Sequence, residues 1–169
     1  MDNNQEIDKI GMREAMLMAL DAKKHGDYAI GAVVMRDGVI IARSECRTYH
    51  QIDPSAHTEV TAIRNACNFL NDRYLVGCTL YSTHAPCAMC LGACVWASID
   101  RVVYGSRQAD IKAYSEEHGI YKDSKARLKW RATSIEPTEL YKFLKLAHPN
   151  TELLPDFMRD ECNELFYHD

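Results

Sequence analysis

Two short motifs constrain this chain most, His57-Thr58-Glu59 and, further along, Pro86-Cys87-Ala88-Met89-Cys90. An imidazole and two thiolates are ligands that zinc prefers, and three of them leave one position of a tetrahedral site open. A catalytic zinc has such an open position, whereas a structural zinc is closed by four protein ligands. The motifs therefore predict a catalytic zinc site held by His57, Cys87 and Cys90. Glu59 need not bind the metal and is free to move a proton.

The composition predicts one globular domain over residues 1–169. The chain is 47% hydrophobic, which is enough for a sizeable core, and its net charge of −4 gives no reason to expect a polyanionic partner. The N-terminal stretch MDNNQEIDK lacks the features of a signal peptide, and there is no apolar run of the roughly 18 residues that a membrane span needs. Seven cysteines are an odd number, which favours reduced thiols in a cytoplasmic protein.

The hydrophobic pattern predicts alternating helices and strands. The predicted helices cover residues 7–24, 56–70, 87–97, 106–121, 137–147 and 155–166, and the predicted strands cover 29–35, 39–43, 78–82, 101–105 and 129–135. The first two strands are joined by a hairpin signal, and the strand–helix–strand order after residue 78 predicts parallel pairing. Both motifs then fall at helix starts beyond strand ends, the usual place for a ligand in an open α/β sheet.

The motifs and their surroundings resemble the cytidine deaminase-like superfamily, in which H-x-E is followed by P-C-x-x-C. The run HTEVTAIRNAC at 57–67, preceded by DPSA and followed later by MCLGA and Trp96-Ala97, is similar to bacterial-type guanine deaminases, a nucleobase deaminase branch. The resemblance covers about residues 30–105. It implies a three-layer α/β/α fold with a mixed central sheet of about five strands and helices on both faces.

The resemblance also implies a zinc-dependent hydrolytic deaminase with one zinc per subunit. Zinc lowers the pKa of a water toward about 7. Glu59 would accept that proton, pass it to a ring nitrogen, and then protonate the departing amine, so that one carboxylate serves as base and then as acid. We expect the loss of this carboxylate to abolish turnover and to leave zinc in place.

The residues that would read the substrate are assigned by the same resemblance. Glu117, with Glu116 as the second choice, falls where the branch carries an acidic pair that binds and protonates the base. Tyr167 matches a tyrosine near the substrate, and Trp96 belongs to a shared run. Cys46 stands where the branch has an asparagine that binds the base, and a thiol cannot copy the donor and acceptor of an amide.

Two further departures occur, at Ala85, where the family has the glutamate of Glu-Pro-Cys, and at Ala29-Ile30, where it has Pro-Phe. The metal ligands and the proton carrier are intact while the residues that read the base have changed. Because a site built to hydrogen-bond one edge of a ring rejects analogues strongly, this pattern predicts a substrate other than simply guanine.

Several functions remain open at this point. The first is deamination of a guanine-like purine, a triazine or a pterin, and the second is deamination of cytosine or another pyrimidine. The third is deamination of adenosine in tRNA, which needs a basic surface. Residues 155–169 carry one Arg against five acids, which disfavours this function. A non-catalytic partner subunit that zinc merely stabilises is the last alternative.

The expected partners follow from the first of these functions. We expect a small heterocyclic amine as substrate, neither nucleic acid nor membrane as partner, and a homodimer in which residues 137–169 pack on, or are swapped with, the neighbouring subunit.

Overall fold

The chain forms five strands and six helices over the residues that its computed structural model describes, 3–117, 136–144 and 151–167. The elements are α1 (Asn3–Lys24), β1 (Gly31–Arg36), β2 (Val39–Glu45), α2 (Thr58–Leu70), β3 (Cys78–His84), α3 (Ala88–Trp96), β4 (Arg101–Ser106), α4 (Gln108–Glu117), α5 (Pro137–Leu144), β5 (Glu152–Leu154) and α6 (Arg159–Tyr167). The predicted strand at 129–135 lies outside the described residues, and β5 was not predicted. None of the described helices is long and apolar enough to span a membrane.

The strands form one mixed sheet in the order β2-β1-β3-β4-β5. Strand β1 is antiparallel to β2 and to β3, whereas β3, β4 and β5 run parallel to one another. The antiparallel pair β1–β2 follows from the predicted hairpin, and the parallel pair β3–β4 follows from the helix that joins them. The prediction of a mixed five-stranded α/β sheet is confirmed.

Helices cover both faces of the sheet because alternate strand residues point to opposite sides. On one face Val34, Leu80 and Val102 pack with residues of α2 and α3. On the other face Val33 and Val103 pack with residues of α1 and α6. Each strand therefore contributes to two separate cores, which explains why β1 and β4 are apolar at nearly every position.

Gly31 lets α1 approach the sheet closely. A Cβ at this position would collide with the backbone of Ala15 and Ala19. The Gly31 amide also donates a 3.1 Å hydrogen bond to Oγ1 of Thr83 on β3. This glycine therefore fixes where β1 begins.

One edge of the sheet collects the start of β1 and the ends of β2, β3 and β4, and we call it the site edge. Gly31 pairs with Glu45, Ala32 pairs with Ser82, and His84 pairs with Ser106. Helices α2, α3 and α4 all begin just beyond this edge. The loops that leave it are therefore the segments able to surround a ligand there.

Candidate functional site

The predicted metal ligands come together at the site edge. His57 and Cys87 are the residues that precede α2 and α3, and both have extended backbone there. Nδ1 of His57 lies 3.7 Å from Sγ of Cys87 and 3.5 Å from Sγ of Cys90, and the two sulfurs are 3.5 Å apart. Among the described residues, these three form the group of histidine, cysteine and acidic side chains close enough to share a metal ion.

These distances fit zinc. Tetrahedral bonds of about 2.3 Å to sulfur and about 2.05 Å to nitrogen place two sulfur ligands about 3.7 Å apart and a sulfur and a nitrogen about 3.5 Å apart. The observed separations agree with these values to within a few tenths of an ångström. Since three ligands converge among the described residues, their donor set is that of a site with an open position.

Cys87 is the more acidic thiol of the pair. The hydrogen bond with Cys90 and the contact with His57 lower the pKa of Cys87 to about 4, although burial opposes the shift. That same hydrogen bond and burial raise the pKa of Cys90. Because zinc binds thiolates, metal binding has to release the protons that the pair still carries.

Glu59 lies beside the ligands in the first turn of α2. It is only 3% exposed. Its Oε1 accepts a 3.1 Å hydrogen bond from Oγ of Ser82 on β3, and its Oε2 lies 3.4 Å from Sγ of Cys90. Burial raises the pKa of Glu59, while the charge of His57 opposes the shift. A carboxyl group with a raised pKa is suited to taking and returning a proton near neutral pH.

Sequence reasoning missed Ser82 and His84, which are buried polar residues near the end of β3. Ser82 orients Glu59, and the polar residues at the end of a strand with a buried pattern were the available signal. His84 is 4% exposed, and burial lowers its pKa to about 3, so it is a neutral imidazole at physiological pH.

The predicted substrate residues lie at different places in the fold, and their contact with a substrate stays a prediction. Cys46 is buried at the site edge, and its thiol lies 3.4 Å from Oδ1 of Asp27. Glu116 and Glu117 are exposed at the end of α4. Trp96 is 80% exposed at the end of α3 remote from Cys87. The backbone of Tyr167 ends α6, and its side chain lies outside the described part of the chain.

Residues 5–106 match the family model of the cytidine and deoxycytidylate deaminase zinc-binding region. The chain belongs to this deaminase family. The predictions of a cytidine deaminase-like fold, of zinc and of a zinc-dependent aminohydrolase are therefore confirmed. The matched residues include both halves of the site, from the helix that follows β2 to the end of β4.

Individual relatives in the deaminase family differ in their substrates. The chain is 44% identical to the guanine deaminase of Bacillus subtilis over 114 residues, which are 66% of this chain and 73% of the relative. It is 35% identical to a tRNA-specific adenosine deaminase of Agrobacterium fabrum over 150 residues, 89% of this chain and 93% of the relative.

Solved structures show the same division. The Bacillus guanine deaminase has a TM-score of 0.61 at 30% identity, covering 87% of this chain and 94% of that one. A tRNA:A34 deaminase has a TM-score of 0.69 at 28% identity, covering 93% of this chain and 99% of that one.

The residues of the site have two distinct expected roles, metal binding and proton transfer. His57, Cys87 and Cys90 would hold the zinc ion, which would supply Lewis acidity and an acidified water. Glu59 accepts a hydrogen bond from Ser82 and is a buried carboxyl group beside that site, where it would serve as the base.

Proposed function

We propose that this protein is a deaminase of a free nucleobase or a related heterocycle, namely a guanine-like purine, a triazine or a pterin, and that it releases ammonia. The sequence and structural likeness to the Bacillus guanine deaminase supports a small-molecule substrate. The intact metal ligands and Glu59 support hydrolysis of an amino group on a ring carbon flanked by a nitrogen. A homodimer and a cytoplasmic location remain predictions.

The observation that carries this proposal is the pairing of arginines around the site edge. Arg47 forms an ion pair with Glu45 at 2.7 Å, Arg107 pairs with Asp156, and Arg159 pairs with Asp110 at 2.5 Å. The first turn of α6 adds Asp160 and Glu161. Binding to a phosphate backbone depends on lysines and arginines that are available to phosphate. The three arginines are instead paired with carboxylates of the protein, which leaves less positive charge available to phosphate. This arrangement favours an uncharged small substrate.

The properties of the Cys46 thiol favour the hypothesis that the substrate is not guanine itself. Burial raises the pKa of Cys46 to about 12, so the side chain stays a neutral thiol. It lies next to Asp27 and to Oγ1 of Thr48, at 3.4 and 3.6 Å. A thiol so placed offers a ring edge neither an amide donor nor an amide acceptor. Cytosine or another small pyrimidine is the alternative within the small-molecule class.

A tRNA adenosine deaminase is the second candidate function, and both a basic segment of the sequence and one relative favour it. Residues 122–131 carry five basic side chains and one acidic side chain. They lie outside the described residues. The Agrobacterium tRNA deaminase also matches more of the chain than the guanine deaminase does.

The test is ammonia release by the zinc-loaded protein from a panel of substrates. The panel contains guanine, 8-oxoguanine, isoguanine, ammeline, pterin, cytosine, their nucleosides, adenosine and a tRNA anticodon stem-loop, with Glu59→Ala as the blank. We expect turnover of a free base or heterocycle that disappears in the blank. Turnover of the stem-loop alone would overturn the proposal in favour of the tRNA substrate.

A further inference from the structure

Asp27 is a buried carboxylate that the chemistry described so far does not use. It lies four residues before β1 and is 4% exposed. Its Oδ2 accepts hydrogen bonds from the backbone amides of Tyr49 and His50 at 2.9 and 3.2 Å. Its Oδ1 accepts from Oγ1 of Thr48 at 3.1 Å, and it lies 3.4 Å from Sγ of Cys46. One side chain therefore gathers four polar partners from residues 46–50.

Those residues form a tight turn that needs outside support. The amide of Gln51 donates to the carbonyl of Arg47 at 2.9 Å, and that of Asp53 donates to the carbonyl of Thr48 at 3.1 Å. Ile52 closes the turn with a φ of 54°. This backbone region is unfavourable for a β-branched residue. Because the side chain of Ile52 is 92% exposed, packing does not compensate for the strain.

Asp27 satisfies the opposite end of the same turn. The amides of Tyr49 and His50 begin the turn and donate to Asp27, like the first amides of a helix that donate to a capping side chain. A carboxylate placed there satisfies both amides and interacts favourably with their dipoles. Burial alone would raise the pKa of Asp27, but the backbone donors from Tyr28, His50 and Tyr49 outweigh it and the pKa is lowered. Asp27 therefore stays ionised at neutral pH.

The turn lies in the loop that connects β2 with the metal ligand His57. Both ends of this loop are held at the site edge, because Oγ1 of Thr58 donates a 2.6 Å hydrogen bond to the carbonyl of Ser44. Near its second end, Asp53 accepts from the amide and the hydroxyl of Ser55. The middle of the loop is hydrogen-bonded to Asp27, which lies outside the loop. This segment leaves the edge next to β1 and returns at the metal ligand, so it borders the zinc site on the β2 side.

We propose that Asp27 is a positioning residue that holds residues 46–50 as one wall of the substrate pocket. It acts through the backbone of the turn and touches neither the metal ligands nor Glu59. Its loss affects how well the ring is bound more than how fast the bound ring reacts. The inference rests on the proposed function only for the choice of substrate, since a wall formed by this turn would serve a free base or a flipped base alike.

Asp27→Asn tests the proposal, and Asp8→Asn is its matched control. Asn keeps the size of the side chain but replaces one acceptor oxygen with a donor that faces the turn amides. Asp8 is also 4% exposed and accepts hydrogen bonds, from Tyr81 at 2.8 Å and from Arg101 at 2.6 and 2.9 Å. It lies on the α1 face of the sheet. Both variants lose a buried charge, and only Asp27→Asn disturbs the turn.

The first readout is kinetic, on whichever panel compound the wild-type protein turns over. We expect KM to rise about tenfold in Asp27→Asn, with kcat within about twofold and unchanged zinc content, because tenfold in binding corresponds to roughly one lost hydrogen bond. Asp8→Asn should lower the melting temperature and leave KM unchanged. A fall in kcat at constant KM, or equal effects in both variants, would overturn the positioning role.

The second readout is amide hydrogen exchange of the zinc-loaded protein, which requires no substrate. The amides of Tyr49 and His50 should exchange at least tenfold faster in Asp27→Asn and at the wild-type rate in Asp8→Asn. Unchanged exchange would show that Asp27 does not anchor the turn. Faster exchange with unchanged KM would show that the turn is anchored but forms no substrate wall. If only the stem-loop is turned over, the proposed function fails while both readouts still decide the role of Asp27.

Discussion

Sγ of Cys90 lies 3.4 Å from Oε2 of Glu59, so a metal ligand and the buried carboxylate occupy one pocket. The carboxylate reaches this position because Glu59 is in the first turn of α2 and Cys90 is in the first turn of α3. Ser82 holds its other oxygen. The two side chains have different expected roles, metal binding for Cys90 and proton transfer for Glu59. A substitution can therefore remove one role and leave the other.

Glu59→Gln should abolish turnover and retain zinc. The amide fills the same space and accepts from Ser82, but it cannot carry a proton, and the loss of a general acid–base group costs about 10² to 10⁴ in rate. Ammonia release and the zinc content of the purified protein are the measurements. Glu14→Gln is the control, since Glu14 lies on α1 and pairs with Arg43 of β2, away from the metal ligands. An active Glu59→Gln protein would contradict the assignment.

Cys90→Ala should lose zinc, whereas Cys94→Ala should keep it. Both thiols are fully buried in α3, one turn apart, but Cys94 packs in the core with Leu80 and Val102. Each variant leaves a small void and lowers stability by about 1 kcal/mol. Metal analysis after dialysis distinguishes them. Zinc loss in Cys94→Ala, or zinc retention at full occupancy in Cys90→Ala, would contradict the ligand set.

Gly31→Ala should destabilise the fold by about 3 kcal/mol or more. A methyl group there meets the backbone of Ala15 and Ala19, which can move only if α1 leaves the sheet. Gly92→Ala is the matched control, because a Cβ at Gly92 meets nothing within 4 Å. Alanine in this helix should stabilise by about 1 kcal/mol. Urea unfolding of the two variants should give shifts of opposite sign.

Ile52→Gly should stabilise the protein by roughly 0.5 to 1 kcal/mol. Glycine adopts the positive φ of 54° without strain, and the gain is reduced by the greater freedom of glycine in the unfolded chain. Thermal unfolding measures the change. Ile52→Val retains the branched side chain and should give no gain. A destabilised Ile52→Gly protein would mean that the exposed side chain makes a contact that this structure does not show.

The contribution of Asp27 should vanish in acid. Because its pKa is lowered in the folded state, the stabilisation is fully present above the unfolded value, near 3.8, and is lost as pH falls through the folded value below it. The free energy of unfolding of the wild-type protein should therefore exceed that of Asp27→Asn at pH 7, and the difference should shrink below about pH 4. A difference that grew in acid would contradict an ionised Asp27.

The order of elements followed from local patterns, and so did the metal site. Pro54-Ser55 and Pro86 indicate a helix start within each ligand motif, and a C-x-x-C at a helix start places both thiols on one face. The parallel pairing of β3 with β4 follows from one intervening helix. Strand β5 was missed because three residues give too little alternation to identify a strand.

The surroundings of the site were beyond prediction. Asp27 is 21 residues from Thr48, and Ser82 is 23 residues from Glu59, so neither partner is visible in a local pattern. Trp96 belongs to a run shared with guanine deaminases, but helix geometry places it at the far end of α3 from Cys87. Local spacing shows which residues share a helix face and does not show which loops meet there.

By itself the sequence determined the chemistry, because a metal site needs only the right ligand types at the starts of successive helices. It also determined the fold class, because alternating strands and helices allow few sheet topologies. Only the tertiary structure decided which residues the two carboxylates contact. Ser82 holds Glu59, and Asp27 holds the turn before His57. These contacts join segments that are far apart in the chain, and their energy exists only once burial has removed competing water.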